Sequence, residues 1–150
     1  ISIILGNIYE SKKIPKNLSP ELLKVLMEMG HGDEICIGDG NFPAEEMGRK
    51  VIRCDGLMVP ELLESILELF PLDPYVEDQV FLMEVAKGDD YQPVIWEEYK
   101  KILDDSKEPY SIEYVERFDF YERARKCYAV VATSEEALYA NIILKKGVVK

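Results

Sequence analysis

The chain contains a single histidine, and glycines frame it: Met29-Gly30-His31-Gly32-Asp33-Glu34. An unperturbed imidazole titrates near pH 6.5 and can give or take a proton near neutrality. The flanking glycines let backbone or ligand approach closely. A carboxylate, Asp39, follows between Gly38 and Gly40. Further along, the run from Arg117 to Arg125 interleaves charge with Phe118, Phe120 and Tyr121, and Tyr139 and Asn141 stand two residues apart. A guanidinium, phenols and an amide beside loops supply the fixed donors and flat apolar faces that a polyhydroxylated ligand needs. If residues 139–141 are extended, Tyr139 and Asn141 share one face.

Each group has a plainer reading. His31 could serve the helix dipole at a helix end. Asp39 could close an Asx-turn on its own loop. Arg117 could pair with one of many carboxylates, the aromatics beside it could be core, and Tyr139 with Asn141 could be a surface pair. Asp33 and Glu34 read as solvated charges or caps.

Other chemistries lack their motifs. The sequence has no glycine-rich phosphate loop of the GxGxxG or GxxxxGK[ST] kind and no GxSxG nucleophile elbow. Cys36, Cys54 and Cys127 are odd in number and widely spaced, and one histidine cannot complete a Cys/His zinc set. They read as small buried thiols suited to a reducing cytoplasm. The remaining expectation is acid–base chemistry without metal or cofactor. The net charge of −11, from 29 acidic against 18 basic residues, argues against nucleic acid and anionic membrane surfaces. No apolar run is long enough to span a bilayer.

These residues need elements to hold them, and 150 residues with a 47% apolar fraction fit one domain with a real core. Ser19-Pro20-Glu21 is a helix start, with Ser19 as N-cap, and a stripe from Leu22 to Met29 ends at Gly30. Residues 34–38 read as a buried strand, 38–43 as a turn-rich loop, 44–50 as a short helix and 50–54 as a second strand. A helix at 60–70 precedes a break at Pro71-Leu72-Asp73-Pro74-Tyr75. Residues 79–85 form a third strand, 92–103 a helix carrying Trp96 and Tyr99, and 111–116 an alternating strand. Residues 117–126 read as a loop turning into a short helix, 127–133 as a strand, 134–136 as a helical turn capped by Ser134, and 139–147 as a closing strand. Strands alternating with helices predict an α/β fold: a three-layer α/β/α sandwich with a mixed, mainly parallel sheet. Residues 12–150 form its single domain. Residues 1–11 read as a partial N-terminal extension or remnant; the apolar stretch at 1–5 lacks the basic flank and cleavage pattern of a signal peptide. His31 enters the first buried strand and Asp39 leaves it. Both serve one site only if loops curl back or a neighbouring subunit supplies one of them.

From Ile14-Pro15 onward the chain resembles the fucose branch of the fucose mutarotase/ribose pyranase family. The matching motifs are Ser19-Pro20-Glu21-Leu22-Leu23-Lys24-Val25-Leu26, Met29-Gly30-His31-Gly32-Asp33-Glu34-Ile35, Asp39 with Phe42-Pro43, and Val51-Ile52-Arg53 with Asp55-Gly56-Leu57. They continue with Arg117-Phe118 plus Phe120-Tyr121-Glu122-Arg123-Ala124, then Tyr139 with Asn141-Ile142 and Leu144-Lys145-Lys146-Gly147-Val148. The resemblance implies a cofactor-free isomerase that interconverts the α and β anomers of L-fucose by ring opening and closing. It implies His31 as proton donor and Asp39, Arg117, Tyr121, Tyr139 and Asn141 as the sugar-binding set. It also implies a ring-shaped homo-decamer with sites between subunits. One departure is Gly40-Asn41, where some members carry Ala-His. The competing readings are a D-ribose pyranase and a non-catalytic monosaccharide-binding module.

Overall fold

The structure is a computed structural model, and its described residues are 9–150. The first eight residues of the expected N-terminal extension lie outside the described residues. A small hairpin opens the chain, β1 (Tyr9–Ser11) pairing antiparallel with β2 (Ile14–Pro15). The Tyr9 hydroxyl donates to Glu68 at 3.0 Å.

The remaining elements alternate as the apolar patterning predicts: α1 (Pro20–Glu28), β3 (Glu34–Gly38), α2 (Ala44–Met47), β4 (Val51–Cys54), α3 (Val59–Leu67), β5 (Val80–Met83), α4 (Ile95–Asp105), β6 (Ile112–Val115), α5 (Arg117–Lys126), β7 (Ala129–Thr133) and β8 (Ile142–Lys145). Ser19 caps α1 as expected, its hydroxyl accepting from Leu22 N at 3.1 Å. The six-stranded sheet runs β4-β7-β3-β8-β5-β6. β3–β7, β4–β7 and β5–β6 pair parallel, and β8 lies antiparallel between β3 and β5.

Strand side chains alternate between two cores. Ile35, Ile37, Val131, Leu82 and Ile142 pack with Leu22 and Val25 of α1, Leu62 and Ile66 of α3, and Tyr99 and Leu103 of α4. Cys36, Val130, Phe81 and Ile143 pack on the other face with Met47 of α2 and Phe120 and Ala124 of α5. The sandwich is therefore three-layered, with a mixed and mainly parallel sheet. All three cysteines are free and buried.

Four local expectations need correction. Residues 117–126 are helical throughout, because the Glu116 carboxylate accepts from Phe118 N at 3.0 Å and Asp119 N at 3.1 Å and so starts the helix at Arg117. Residues 134–136 form no helical turn: the Ser134 hydroxyl is taken by Gly56 N at 2.7 Å. Glu135 instead caps α3, accepting from Val59 N at 3.0 Å. Tyr139 is not extended but left-handed at φ 57°, so the last strand begins at Ile142. Glu34 is not solvated: Arg123 holds its carboxylate with two bonds of 2.8 Å, and Lys145 adds a third at 3.2 Å.

Candidate active site

In a parallel sheet, sites form outside the carboxyl ends of the strands. β3, β5 and β6 end there at Gly38, Met83 and Val115, and the antiparallel β8 starts there. That edge holds a cavity of about 250 Å³. Drug-sized pockets run from about 300 to 1,000 Å³, so this one suits a smaller ligand. Its wall includes Asp39, Arg117, Tyr121, Tyr139 and Asn141, together with Glu84 and Asp89. Five of the six residues expected at a sugar site thus meet in one place.

Asp39 leaves β3 and is almost fully buried. Burial pushes its carboxyl above the ordinary carboxylate range, and the Glu135 charge adds to that. Donation from the backbone N–H groups of Asn41, Ala140 and Phe42 opposes the rise without cancelling it. One of those bonds, Asn41 N to Asp39 Oδ1 at 3.0 Å, closes the Asx-turn that was the plainer reading. Asn141 in turn accepts from Asp39 N at 2.8 Å, tying the start of β8 to the end of β3. Gly40 is packed against backbone, where a Cβ would lie 3.1 Å from the Glu135 carbonyl.

Arg117 and Tyr121 come from the first turns of α5. The Arg117 guanidinium lies 4.6 Å from the centroid of the exposed Phe118 ring and forms no salt bridge with a described residue. Its plainer reading, an ion pair, is not what the structure contains. Phe120 is core, as its plainer reading expected, whereas Phe118 is exposed. The edge-on ring contact of Phe42 with Tyr121, at 5.8 Å, closes that side of the cavity.

Tyr139 and Asn141 reach the same cavity by a route the alternation argument did not foresee. The left-handed turn at Tyr139, rather than a strand, brings them there. Two donors of α4 hold that turn: Trp96 Nε1 donates to the Tyr139 carbonyl at 2.8 Å, and the buried Tyr99 hydroxyl donates to the Ala140 carbonyl at 2.7 Å. The Tyr139 hydroxyl donates to Asp89 at 2.8 Å and accepts from Ala86 N at 3.2 Å. Trp96, Tyr99 and Asp89 were not assigned to the site from sequence. The two aromatics were read there only as residues carried by the 92–103 helix, and only their polar tips hold the signal.

His31 is elsewhere. It precedes β3, at the amino end of the sheet, and is not among the residues lining the cavity. Its side chain is 47% exposed, and Nε2 lies 3.0 Å from the buried Asp73 carboxylate. Tyr75 meets the ring edge-on at 5.5 Å. A strand of five residues separates this end from the cavity, and such a strand is about 17 Å long. Asp39 therefore does not hold His31 within one chain. Among the described residues no cluster of three or more His, Cys, Asp and Glu side chains has the geometry of a metal site. No helix among them is long and apolar enough to cross a membrane.

Fold and cavity together define an α/β sandwich with a small polar pocket at its strand ends. The chain belongs to the RbsD / FucU transport protein family, matching it over residues 12–149. It is 50% identical over 143 residues to a Homo sapiens protein named fucose mutarotase, covering 91% of this chain and 93% of that one. The crystal structure of the fucose mutarotase in complex with L-fucose from Streptococcus pneumoniae is 55% identical, with a TM-score of 0.90 over 93% of this chain and all of the other. The structure of Bacillus subtilis RbsD complexed with D-ribose is more distant, at 26% identity and a TM-score of 0.69, covering 89% of this chain and 95% of that one.

Proposed function

We propose that this protein is an L-fucose mutarotase, an isomerase that interconverts the α and β anomers by opening and closing the sugar ring. The observation that carries the reading is the convergence of Asp39, Arg117, Tyr121, Tyr139 and Asn141 on one small cavity, in a chain about half identical to proteins named fucose mutarotase. Mutarotation removes the proton from the anomeric hydroxyl and delivers one to the ring oxygen. The bond between C1 and the ring oxygen breaks, the aldehyde turns about C1–C2, and the ring recloses on the other face. His31 is the group suited to give the ring oxygen its proton and recover it on closure, a role worth about 10²–10⁴-fold in rate. Arg117, Tyr121, Tyr139 and Asn141 hold the hydroxyl pattern, and Asp39 accepts from a sugar hydroxyl.

The opposite placement of His31 and the cavity supports a site shared between subunits. His31 of one copy completes the cavity of another, in a closed homo-oligomer such as a ring-shaped decamer. Three free buried thiols fit a reducing cytoplasm.

NMR saturation transfer between the two fucose anomers tests the reading. Exchange well above the buffer rate, lost in His31→Ala, is expected. Binding without exchange would leave only a sugar-binding module. The D-ribose complex of the more distant relative motivates the second arm, the same assay on ribose. Faster pyranose–furanose exchange of ribose than anomer exchange of fucose would make the protein a pyranase.

A further inference from the structure

We infer that Asp89 is a positioning residue that sets specificity: it takes the only proton of the Tyr139 hydroxyl, so that this wall of the cavity meets a sugar as an acceptor and selects a ligand hydroxyl that donates to it. The inference rests on the reading that the cavity holds L-fucose. An ionised carboxylate only accepts, so the 2.8 Å contact between Tyr139 Oη and Asp89 Oδ2 commits the phenolic hydrogen to that line. What the phenol keeps for a ligand is lone pair. Asn141 is set the opposite way. Its Oδ1 accepts from Asp39 N at 2.8 Å, which leaves its amide group to donate. Tyr139 and Asn141 therefore offer the sugar one acceptor and one donor.

The contact is built by the segment between β5 and α4. Gly88 turns that chain in the left-handed region at φ 89°, and Asp89 N donates to the Ala86 carbonyl at 3.0 Å. Tyr91 N donates to Asp89 Oδ1 at 2.9 Å, an Asx-turn that fixes the carboxylate's rotation and leaves Oδ2 to the phenol. Ala86 N reaches the phenol oxygen from the same loop at 3.2 Å. The Tyr91 ring stacks on the Tyr139 ring, with 6.1 Å between centroids and 26° between planes. Trp96 Nε1 holds the Tyr139 carbonyl. Tyr139 is thus gripped at its ring, its hydroxyl and its backbone, and the grip on the hydroxyl decides which way its hydrogen points.

Charge agrees with the assignment. Donation from the Tyr91 N–H, and then from the Tyr139 hydroxyl, outweighs desolvation and holds the Asp89 carboxyl below the ordinary carboxylate range. It is an anion at neutral pH and does not return a proton to the phenol. A free phenol can donate or accept, so it tolerates a ligand group of either kind. With its proton committed, the phenol accepts only, and a ligand group without a hydrogen leaves it unpaired. The hydroxyl so chosen is one of the three ring hydroxyls other than the anomeric one. Those keep their configuration through the reaction, whereas the anomeric hydroxyl alternates between two positions and suits no fixed acceptor.

Calorimetry with L-fucose and its three analogues carrying fluorine in place of one such hydroxyl is the test, because fluorine brings no proton to donate. Wild type is expected to bind one analogue about 10-fold or more weaker than fucose, and in Asp89→Ala that ratio should fall to about 2-fold while the other two ratios stay. Anomer exchange of fucose should show KM raised about 10-fold in Asp89→Ala with kcat little changed, since the proton donor is untouched. Tyr139→Phe should lose the same ratio, and adding Asp89→Ala to it should move no ratio further. Asp89→Asn accepts from Tyr91 N and turns its amide N–H toward the phenol, so it should lose the discrimination too; it serves if Asp89→Ala does not fold. Ratios unchanged by the Asp89 variants overturn the proposal. So does an equal weakening of all four sugars, which a loop brace alone would give, or a further loss on the Tyr139→Phe background. Wild type that binds no fucose would remove the reading beneath it. Fucose binding and exchange with ratios indifferent to Asp89 remove only the part assigned to Asp89.

Discussion

The two ends of β3 differ in what they can do alone. The carboxyl end has a cavity and a ring of donors and acceptors, yet its one carboxylate leaving β3, Asp39, is partly committed to its own turn. The amino end has an imidazole backed by a buried acid, yet His31 borders no part of that cavity. In the proposed reading one end binds the sugar and the other moves the proton. The contrast teaches that groups suited to one reaction can stand at opposite ends of a strand, so that a single subunit does not bring them together.

The comparison breaks most visibly at His31. His31→Ala should lose about 10²–10⁴-fold in catalysed anomer exchange while keeping the fold, because the side chain is half exposed. Saturation-transfer NMR and thermal unfolding read the two outcomes. Mixing is the sharper experiment. If sites are shared, co-refolding inactive His31→Ala with a cavity variant such as Arg117→Ala should restore about a quarter of the sites, since each site draws its halves independently. Should each chain serve itself, mixing restores nothing.

Asn141→Ala acts on the binding end alone. It orphans the buried Asp39 N–H, a loss of about 1–3 kcal/mol in unfolding free energy, and should weaken fucose binding in calorimetry. Trp96→Phe frees the Tyr139 carbonyl and should cost about 1 kcal/mol. Its KM for fucose should rise more than its kcat falls, because the left-handed turn presents the binding groups and not the acid.

The smallest effect is a pH dependence. Burial holds the Asp39 carboxyl above its unfolded value of about 3.9, so the folded state keeps that proton more tightly than the unfolded chain. Stability is then lost as pH rises from the unfolded value through the folded one. Asp39→Asn lacks this loss, so its melting temperature should gain on wild type between pH 3.5 and 7, while fucose binding weakens. A gap that is constant with pH would contradict the burial argument.

Much of this architecture was legible from residue order. Apolar runs and the alternation at 111–116 located every strand of the main sheet, and Ser19-Pro20 marked the start of α1 because the cap is chemically local. The failures were long-range. Glu116 was read as the end of a strand and Glu135 as part of a helical turn, yet they cap α5 and α3, the latter from 76 positions along the chain. Tyr139 was read with a strand's period, but donors on α4 hold it left-handed. Asp73 drew notice only as part of a Pro-bounded helix break. A lone acid between prolines has no local pattern that announces a partner 42 residues upstream. Motif resemblance brought the site residues together on paper, whereas the separation of His31 from the rest was already implicit in their order around one strand.

β8 carries a consequence beyond its place in the sheet. Its entry fastens the loop that follows β3, and its exit fastens the loop bearing Asp73. It is a stiff crossbar between the cavity and the His31–Asp73 pair. If the proposed ring of shared sites holds, such a crossbar sets the spacing of successive stations around the circle, so errors of fit at one interface are handed on rather than absorbed.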